Sequence, residues 1–200
     1  MQKFETHRGI AVPLQVSAVD TDQIIPAEFL KRITRHGFED GCFANWRKDS
    51  SFVLNLPRYQ GASILIAGPD FGTGSSREHA VWALQDYGFR VVIASSFGDI
   101  FCGNATKSGL LTLQLSQSVV EDLWTWVDAH QGATMEVDLE HQTLTFGNDT
   151  LPFDIDEYDK FRLIHGLDDI GITLQKLDKI TEFETRRESF LPNVFSKNFD

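Results

Sequence analysis

The sequence predicts an α/β domain built on a largely parallel sheet and followed by a helical C-terminal extension. Three observations carry that expectation. Two short apolar runs, 63–67 and 90–94, have the length of a buried strand and lack the alternation of a half-exposed one. Between them, Ala80, Ala83, Leu84 and Tyr87 recur at helical spacing and Gly88 follows as a stop. The alternation of strand and helix then repeats downstream, which is the pattern of right-handed crossover units.

The elements follow in order. Residues 10–19 read as extended, and Pro13 makes them an expected edge strand or turn, because proline donates nothing to a ladder. Residues 20–58 hold no sustained period, and an irregular segment of that length is expected to be a lid or binding loop, mobile when the chain stands alone. The strand at 63–67 leads through a loop at 68–74 into a helix from near Ser75. After the strand at 90–94, Ser95 or Ser96 is the expected cap of a second helix that runs to about Lys107 and stops at Gly109. A third strand is expected over 110–115 and a third helix over 119–129.

From residue 134 the texture changes. Segments 134–139, 143–146 and 150–153 read as short antiparallel strands, with Gly147-Asn148-Asp149 as a turn. Beyond Asp156, helices are expected over about 158–166, 168–175 and 177–188. The last has only a thin apolar stripe, Ile180 and Phe183, as of a helix that leans on a partner. The expected division is therefore 1–156 for the domain and 157–200 for the extension.

Composition narrows the function. A chain of 200 residues buries enough surface to fold without a disulfide or metal staple. Eighteen Lys and Arg against 29 Asp and Glu give a net charge of −11, which disfavours nucleic acid and anionic membranes as partners. A small anionic substrate stays open, since a local pocket can oppose the global sign. The two cysteines, Cys42 and Cys102, cannot build a zinc site or hold an iron–sulfur cluster unaided, so no metal is expected on this chain. No stretch approaches the length of an apolar membrane span, the N-terminal residues lack a secretory pattern, and the thiols suit a reducing compartment. A cytoplasmic location is the expectation.

One segment carries chemistry: Gly68-Pro69-Asp70-Phe71-Gly72-Thr73-Gly74-Ser75-Ser76-Arg77-Glu78-His79-Ala80, between a buried strand and a helix N-terminus. Gly72 and Gly74 permit positive φ and close backbone approach. The free amides of a first helical turn attract an anion, and Arg77 can grip a carboxylate with two parallel hydrogen bonds. The competing reading is structural: Ser75-x-x-Glu78 fits a capping box, with Ser75 as the cap. The segment lacks the lysine of a P-loop and the acidic ribose partner of a dinucleotide site.

Taken whole, the string resembles the signature of the aconitase superfamily's swivelling domain. The likeness continues in Ser96-Phe97-Gly98-Asp99-Ile100-Phe101, followed by Asn104, Lys107, Ser108, Gly109, Leu110 and Leu111. It continues again in Asp20-Thr21-Asp22-Gln23-Ile24-Ile25-Pro26 with Phe29-Leu30-Lys31. This last motif is similar to the opening of the family's stand-alone small subunits, of the bacterial isopropylmalate dehydratase type. The resemblance spans about residues 3–190.

The resemblance implies an aconitase-type swivelling domain that works with a large partner holding a 4Fe–4S cluster (the large subunit), while this chain binds no cofactor itself. It implies isomerisation of 2-isopropylmalate to 3-isopropylmalate through 2-isopropylmaleate, with homoaconitate or methylmalate (citraconate) chemistry as alternatives. Ser75 would be the base and Arg77 the carboxylate clamp, helped by Ser76 and the Gly72 and Gly74 amides. Thr21 and Asp22 either line the site or cap a turn. Phe29, Leu30 and Ile33 are candidates for reading the alkyl group. A non-catalytic carboxylate-binding module, with Ser75 only a cap, is the rival from another class.

Overall fold

The computed structural model describes residues 1–188, 190 and 191; the end of the expected extension, at 189 and 192–200, lies outside them. The chain divides into a unit Met1–Leu167 and a second unit from Asp168 onward.

The first unit is organised by one seven-stranded sheet. Its strands are β1 (Thr6–Leu14), β2 (Ile64–Ala67), β3 (Val91–Ala94), β4 (Leu111–Gln114), β5 (Thr134–Asp138), β6 (Thr143–Phe146) and β7 (Asp149–Pro152). They lie in the order β4-β3-β2-β1-β5-β6-β7. The first four are mutually parallel, and β5, β6 and β7 form an antiparallel meander on the other side of β1. Every residue of β2 and β3 is buried, as apolar runs without alternation require when both faces are covered.

The expectation that residues 10–19 form an edge strand is corrected. β1 is central, at the seam between the parallel and antiparallel halves. The Ile10 carbonyl accepts from the Ser63 N–H on the β2 side, while the Ala11 N–H donates to the Ala133 carbonyl on the β5 side. Residue 13 therefore faces the β5 side, and β5 pairs no further along than Ile10. Pro13 sits where no strand asks for its missing N–H.

The helices of the first unit are α1 (Thr21–Ile24), α2 (Glu78–Tyr87), α3 (Asp99–Ser108), α4 (Gln117–Ala129) and α5 (Glu157–His165). The predicted stripe of α2 is present: Ala80, Ala83 and Leu84 are buried, and Tyr87 stacks on Phe89 with centroids 5.4 Å apart. α4 lies along the parallel strands, where Trp124 Nε1 donates to the Ile66 carbonyl at 2.9 Å. α5 belongs to this unit rather than to the tail; Leu163 is buried, and its carbonyl accepts from the Phe4 N–H at 2.9 Å. The second unit contains α6 (Asp169–Leu174) and α7 (Leu177–Arg186); in α7, Phe183 is exposed and Ile180 half-buried.

Residues 20–58 hold together without a repeating pattern. Beyond α1 they form short helical turns at Ala27–Lys31, Trp46–Lys48, Val53–Asn55 and Pro57–Tyr59. Phe38, Cys42, Phe43, Leu54 and Tyr59 are buried anchors. Phe43 stacks on Trp46 at 5.4 Å, and its N–H donates to the Ile24 carbonyl at 2.7 Å. Phe43 does this at φ +49°, a conformation a bulky residue adopts only where its surroundings over-determine it. The aromatic cluster thus grips the C-terminal end of α1.

Candidate active site

The loop after β2 is held as an irregular continuation of the sheet. On one side the Ala18 N–H donates to the Pro69 carbonyl, the Gly72 N–H to the Val19 carbonyl and the Thr21 N–H to the Thr73 carbonyl. On the other, the Phe71 N–H donates to the Ser96 carbonyl and the Gly98 N–H to the Phe71 carbonyl. The carboxyl ends of β1, β2 and β3 are therefore stitched together, and the cleft opens beyond them, where open α/β sheets place their ligands.

Glycine is required at two points of this stitching. Gly72 has φ +75°, and a Cβ there would lie 2.3 Å from Phe101 Cγ. Gly98 passes so close that a Cβ would lie 2.6 Å from the Gly72 carbonyl oxygen. Asp70, at φ +60°, is fastened by Ser96, whose Oγ accepts from the Asp70 N–H and donates to Asp70 Oδ1, both at 2.8 Å. Ser96 is thus occupied in clamping the loop. The cap of α3 is Gly98, not Ser95 or Ser96 as expected.

The capping-box reading of Ser75 is also corrected. α2 begins at Glu78, its N-cap is Arg77 in extended conformation, and Glu78 opens the helix instead of reaching back to Ser75. A capping box does form nearby, at α1: Gln23 N–H donates to Asp20 Oδ1 and Asp20 N–H to Gln23 Oε1, each at 2.8 Å. Ser75 and Ser76 are left exposed ahead of the helix, beside its first turn.

These residues enclose a cleft of about 240 Å³ lined by Thr21, Gly72–Arg77 and Gly98–Phe101. Six of the predicted site residues line it: Thr21, Gly72, Gly74, Ser75, Ser76 and Arg77. Asp22 joins through an ion pair with Arg77, whose side chain is 17% exposed against 54% for Asp22. Thr21 Oγ1 donates to the Ser75 carbonyl at 2.9 Å. Phe29 and Leu30 do not line the cleft. Both are half-buried against the core, with Phe29 under the Arg32 guanidinium at 4.9 Å, and Ile33 is fully exposed.

Sequence reasoning missed the far wall. The N-terminus of α3 faces the same cleft through Gly98, Asp99, Ile100 and Phe101, so two helix N-termini converge where one was expected, and their dipoles add. The motif from Ser96 to Phe101 was the available signal, but nothing in its spacing told that it would close against Gly72.

Comparison with known proteins fits this geometry. Residues 1–118 match the model of the aconitase C-terminal domain, and residues 169–196 match that of the C-terminal domain of 3-isopropylmalate dehydratase small subunits. The 3-isopropylmalate dehydratase small subunit of Corynebacterium jeikeium is 59% identical over 97% of this chain and 98% of its own length. That of Mycobacteroides abscessus is 58% identical over the same shares. The chain belongs to the 3-isopropylmalate dehydratase small-subunit family. A crystal structure of 3-isopropylmalate dehydratase from Methanocaldococcus jannaschii shares the fold, with a TM-score of 0.68 and 26% identity over 88% of this chain and 99% of that one. In this family member, no group of three or more His, Cys, Asp or Glu among the described residues is placed to hold a metal. Burial pushes the Cys42 and Cys102 thiols above their ordinary range, which suits packed side chains rather than ligands. Among the described residues no helix is long and apolar enough to cross a membrane.

Proposed function

We propose that this chain supplies one wall of the active site of a two-subunit hydro-lyase that isomerises 2-isopropylmalate to 3-isopropylmalate through 2-isopropylmaleate, with Ser75 as the base. The observation that carries the reading is the convergence of Ser75, Arg77 and two helix N-termini on one cleft. A serine hydroxyl is a weak base at neutral pH, and what raises its competence is positive potential in a site shielded from water. The helix dipoles of α2 and α3 and the Arg77 guanidinium are the sources of that potential here, set against the Asp22 carboxylate paired with Arg77 and the Asp99 carboxylate in the cleft lining.

In this reading Ser75 Oγ takes the proton from the carbon next to the one that loses hydroxide, and returns it when water is added back with the opposite regiochemistry. Arg77 holds a substrate carboxylate, and in doing so exchanges the Asp22 carboxylate for that of the substrate. Ser76 helps to orient the same group, whereas the Gly72 N–H expected to do so is already given to the Val19 carbonyl at 2.7 Å. The departure of hydroxide is assigned to a cluster-bearing large subunit, since the described residues here do not fit a metal centre, and no step of this chain runs through one. The net charge of −11 favours a small dianion held in a local pocket over a polyanionic partner.

Anaerobic reconstitution with a cluster-bearing large subunit tests the assignment, with kcat/KM compared across isopropylmalate, methylmalate and homoaconitate. The expected result is turnover only with both chains and a preference for the isopropyl compound. One carbon more or less is worth about 10- to 200-fold in an apolar pocket. A preference for either alternative would move the substrate. Carboxylate binding by the chain with no turnover in any reconstitution would favour the non-catalytic module.

A further inference from the structure

Thr21 lines the cleft, yet its geometry is wrong for a substrate contact. The residue is 2% exposed. Its hydroxyl has one proton to give, and Oγ1 spends it on the Ser75 carbonyl at 2.9 Å. Its backbone N–H is spent as well, on the Thr73 carbonyl at 3.0 Å. Residue 21 therefore grips the chain at 73 and again at 75.

The residue bracketed by these two bonds is Gly74, at φ +90°, where a side chain is rarely tolerated and the backbone is at its most permissive. Space is not what demands glycine there, since a Cβ would find its nearest neighbour, Asp20 Cβ, at 3.4 Å. Left alone, Gly74 would let Ser75 swing. Thr21 is in turn fixed from three directions. The Ile25 N–H donates to its carbonyl at 3.0 Å, the Asp20–Gln23 capping box sets the helix start, and the Phe43 N–H ties the carbonyl of Ile24 at the other end of the same short helix.

We infer that Thr21 is a positioning residue: it immobilises the hinge at Gly74 so that the Ser75 hydroxyl is presented at one place in the cleft. The inference rests on the reading of Ser75 as the base. Its consequence is chiefly kinetic, because a misplacement of about 1 Å costs on the order of 100-fold in the chemical step, while the Arg77 guanidinium that grips the substrate carboxylate pairs with Asp22 and not with residue 21.

The experiment uses the two-chain enzyme, assembled with the large subunit. Thr21→Val keeps shape and burial and removes the hydroxyl, and Thr21→Ser keeps the hydroxyl. Thr21→Val is expected to lower kcat about 30- to 100-fold with KM within about twofold, and Thr21→Ser to restore kcat to within about threefold of the parent. In a Ser75→Ala background, Thr21→Val is expected to change the residual rate less than about twofold, as for residues that act as a unit. A raised KM with unchanged kcat would make Thr21 a substrate contact and overturn the inference. An intact kcat, or a failure of serine to rescue, would overturn it as well. Thr21→Ala serves if the valine variant does not assemble; if neither assembles, residue 21 is a folding residue and the inference falls. The two readings separate cleanly: near-parental turnover by Ser75→Ala removes the base itself, whereas an inactive Ser75→Ala beside a fully active Thr21→Val removes only the role given to Thr21.

Discussion

The two halves of the sheet meet at β1 and are built to different ends. On the antiparallel side, β5 to β7 pair in unbroken register. They border a hollow of about 620 Å³, lined by Arg8, Trp126, Thr134, Met135 and Glu136 among others. On the parallel side the strands end in a loop with positive φ at Asp70, Gly72 and Gly74, around a cleft of about 240 Å³. The smaller space gathers two helix N-termini, the Arg77 guanidinium and two exposed serine hydroxyls, whereas the larger one sets Arg8 and Glu136 of the paired strands beside Trp126 of α4 and the loop at Gly132 and Ala133. In the proposed function the site follows the polarity of the strand ends rather than the size of the hollow.

Substitutions on either side sharpen that contrast. Arg77→Gln is expected to lower kcat/KM by about 100-fold or more without unfolding the chain, since charged hydrogen bonds to a carboxylate are worth about 1.5–3 kcal/mol each. Turnover close to that of the parent would mean that the substrate carboxylate is held elsewhere. Gly72→Ala and Leu144→Ala should both destabilise the fold but differ in kind. Gly72→Ala combines a strained φ with a clash on Phe101 and is expected to cost about 2–5 kcal/mol and to abolish turnover in the molecules that remain folded. Leu144→Ala, in the fully buried β6 position, is expected to cost about 2–4 kcal/mol while leaving kcat per folded complex unchanged. Denaturant unfolding with turnover measured on the same samples distinguishes them, and equal losses of kcat would erase the contrast.

The smallest effect concerns pH. Burial, with the Arg90 charge adding to it, holds the His7 imidazole below its ordinary value, and His7 Nε2 lies 2.8 Å from Ser63 Oγ. The unfolded chain then takes up a proton more readily than the folded one, so stability falls as pH drops through the ordinary histidine value of about 6.5 and is unaffected well above it. His7→Gln is expected to flatten the decline between about pH 7 and 5.5. An unchanged slope would show that His7 is not its source.

How much of this was legible in the sequence depends on what each feature needs. The strands at 63–67 and 90–94 and the stripe at Ala80, Ala83 and Leu84 follow from local pattern, and they stand where periodicity puts them. Pro13 misled because its tolerance depends on where β5 ends, some 120 residues later. Ser75 and Ser96 both read as caps, since any serine before a helix does. Neither caps, and both are held by long-range partners, Thr21 on the Ser75 carbonyl and Asp70 on the Ser96 hydroxyl, that no local spacing records. The buried aromatic cluster of residues 38–59 has no period because it packs around turns rather than along an element. The cleft residues were found through their motifs, but Phe29 and Leu30, which belong to one of those motifs and were chosen to read an alkyl group, do not line the cleft of the single chain.

In the proposed function the cleft is half of an active site with Ser75 as its base. The most direct measurement is turnover of the Ser75→Ala variant assembled with the large subunit, beside a co-purification that confirms assembly. Intact assembly and a fall in kcat of roughly 10²- to 10⁴-fold, the range of a lost general base, are expected. Assembly with turnover near that of the parent chain would contradict that reading.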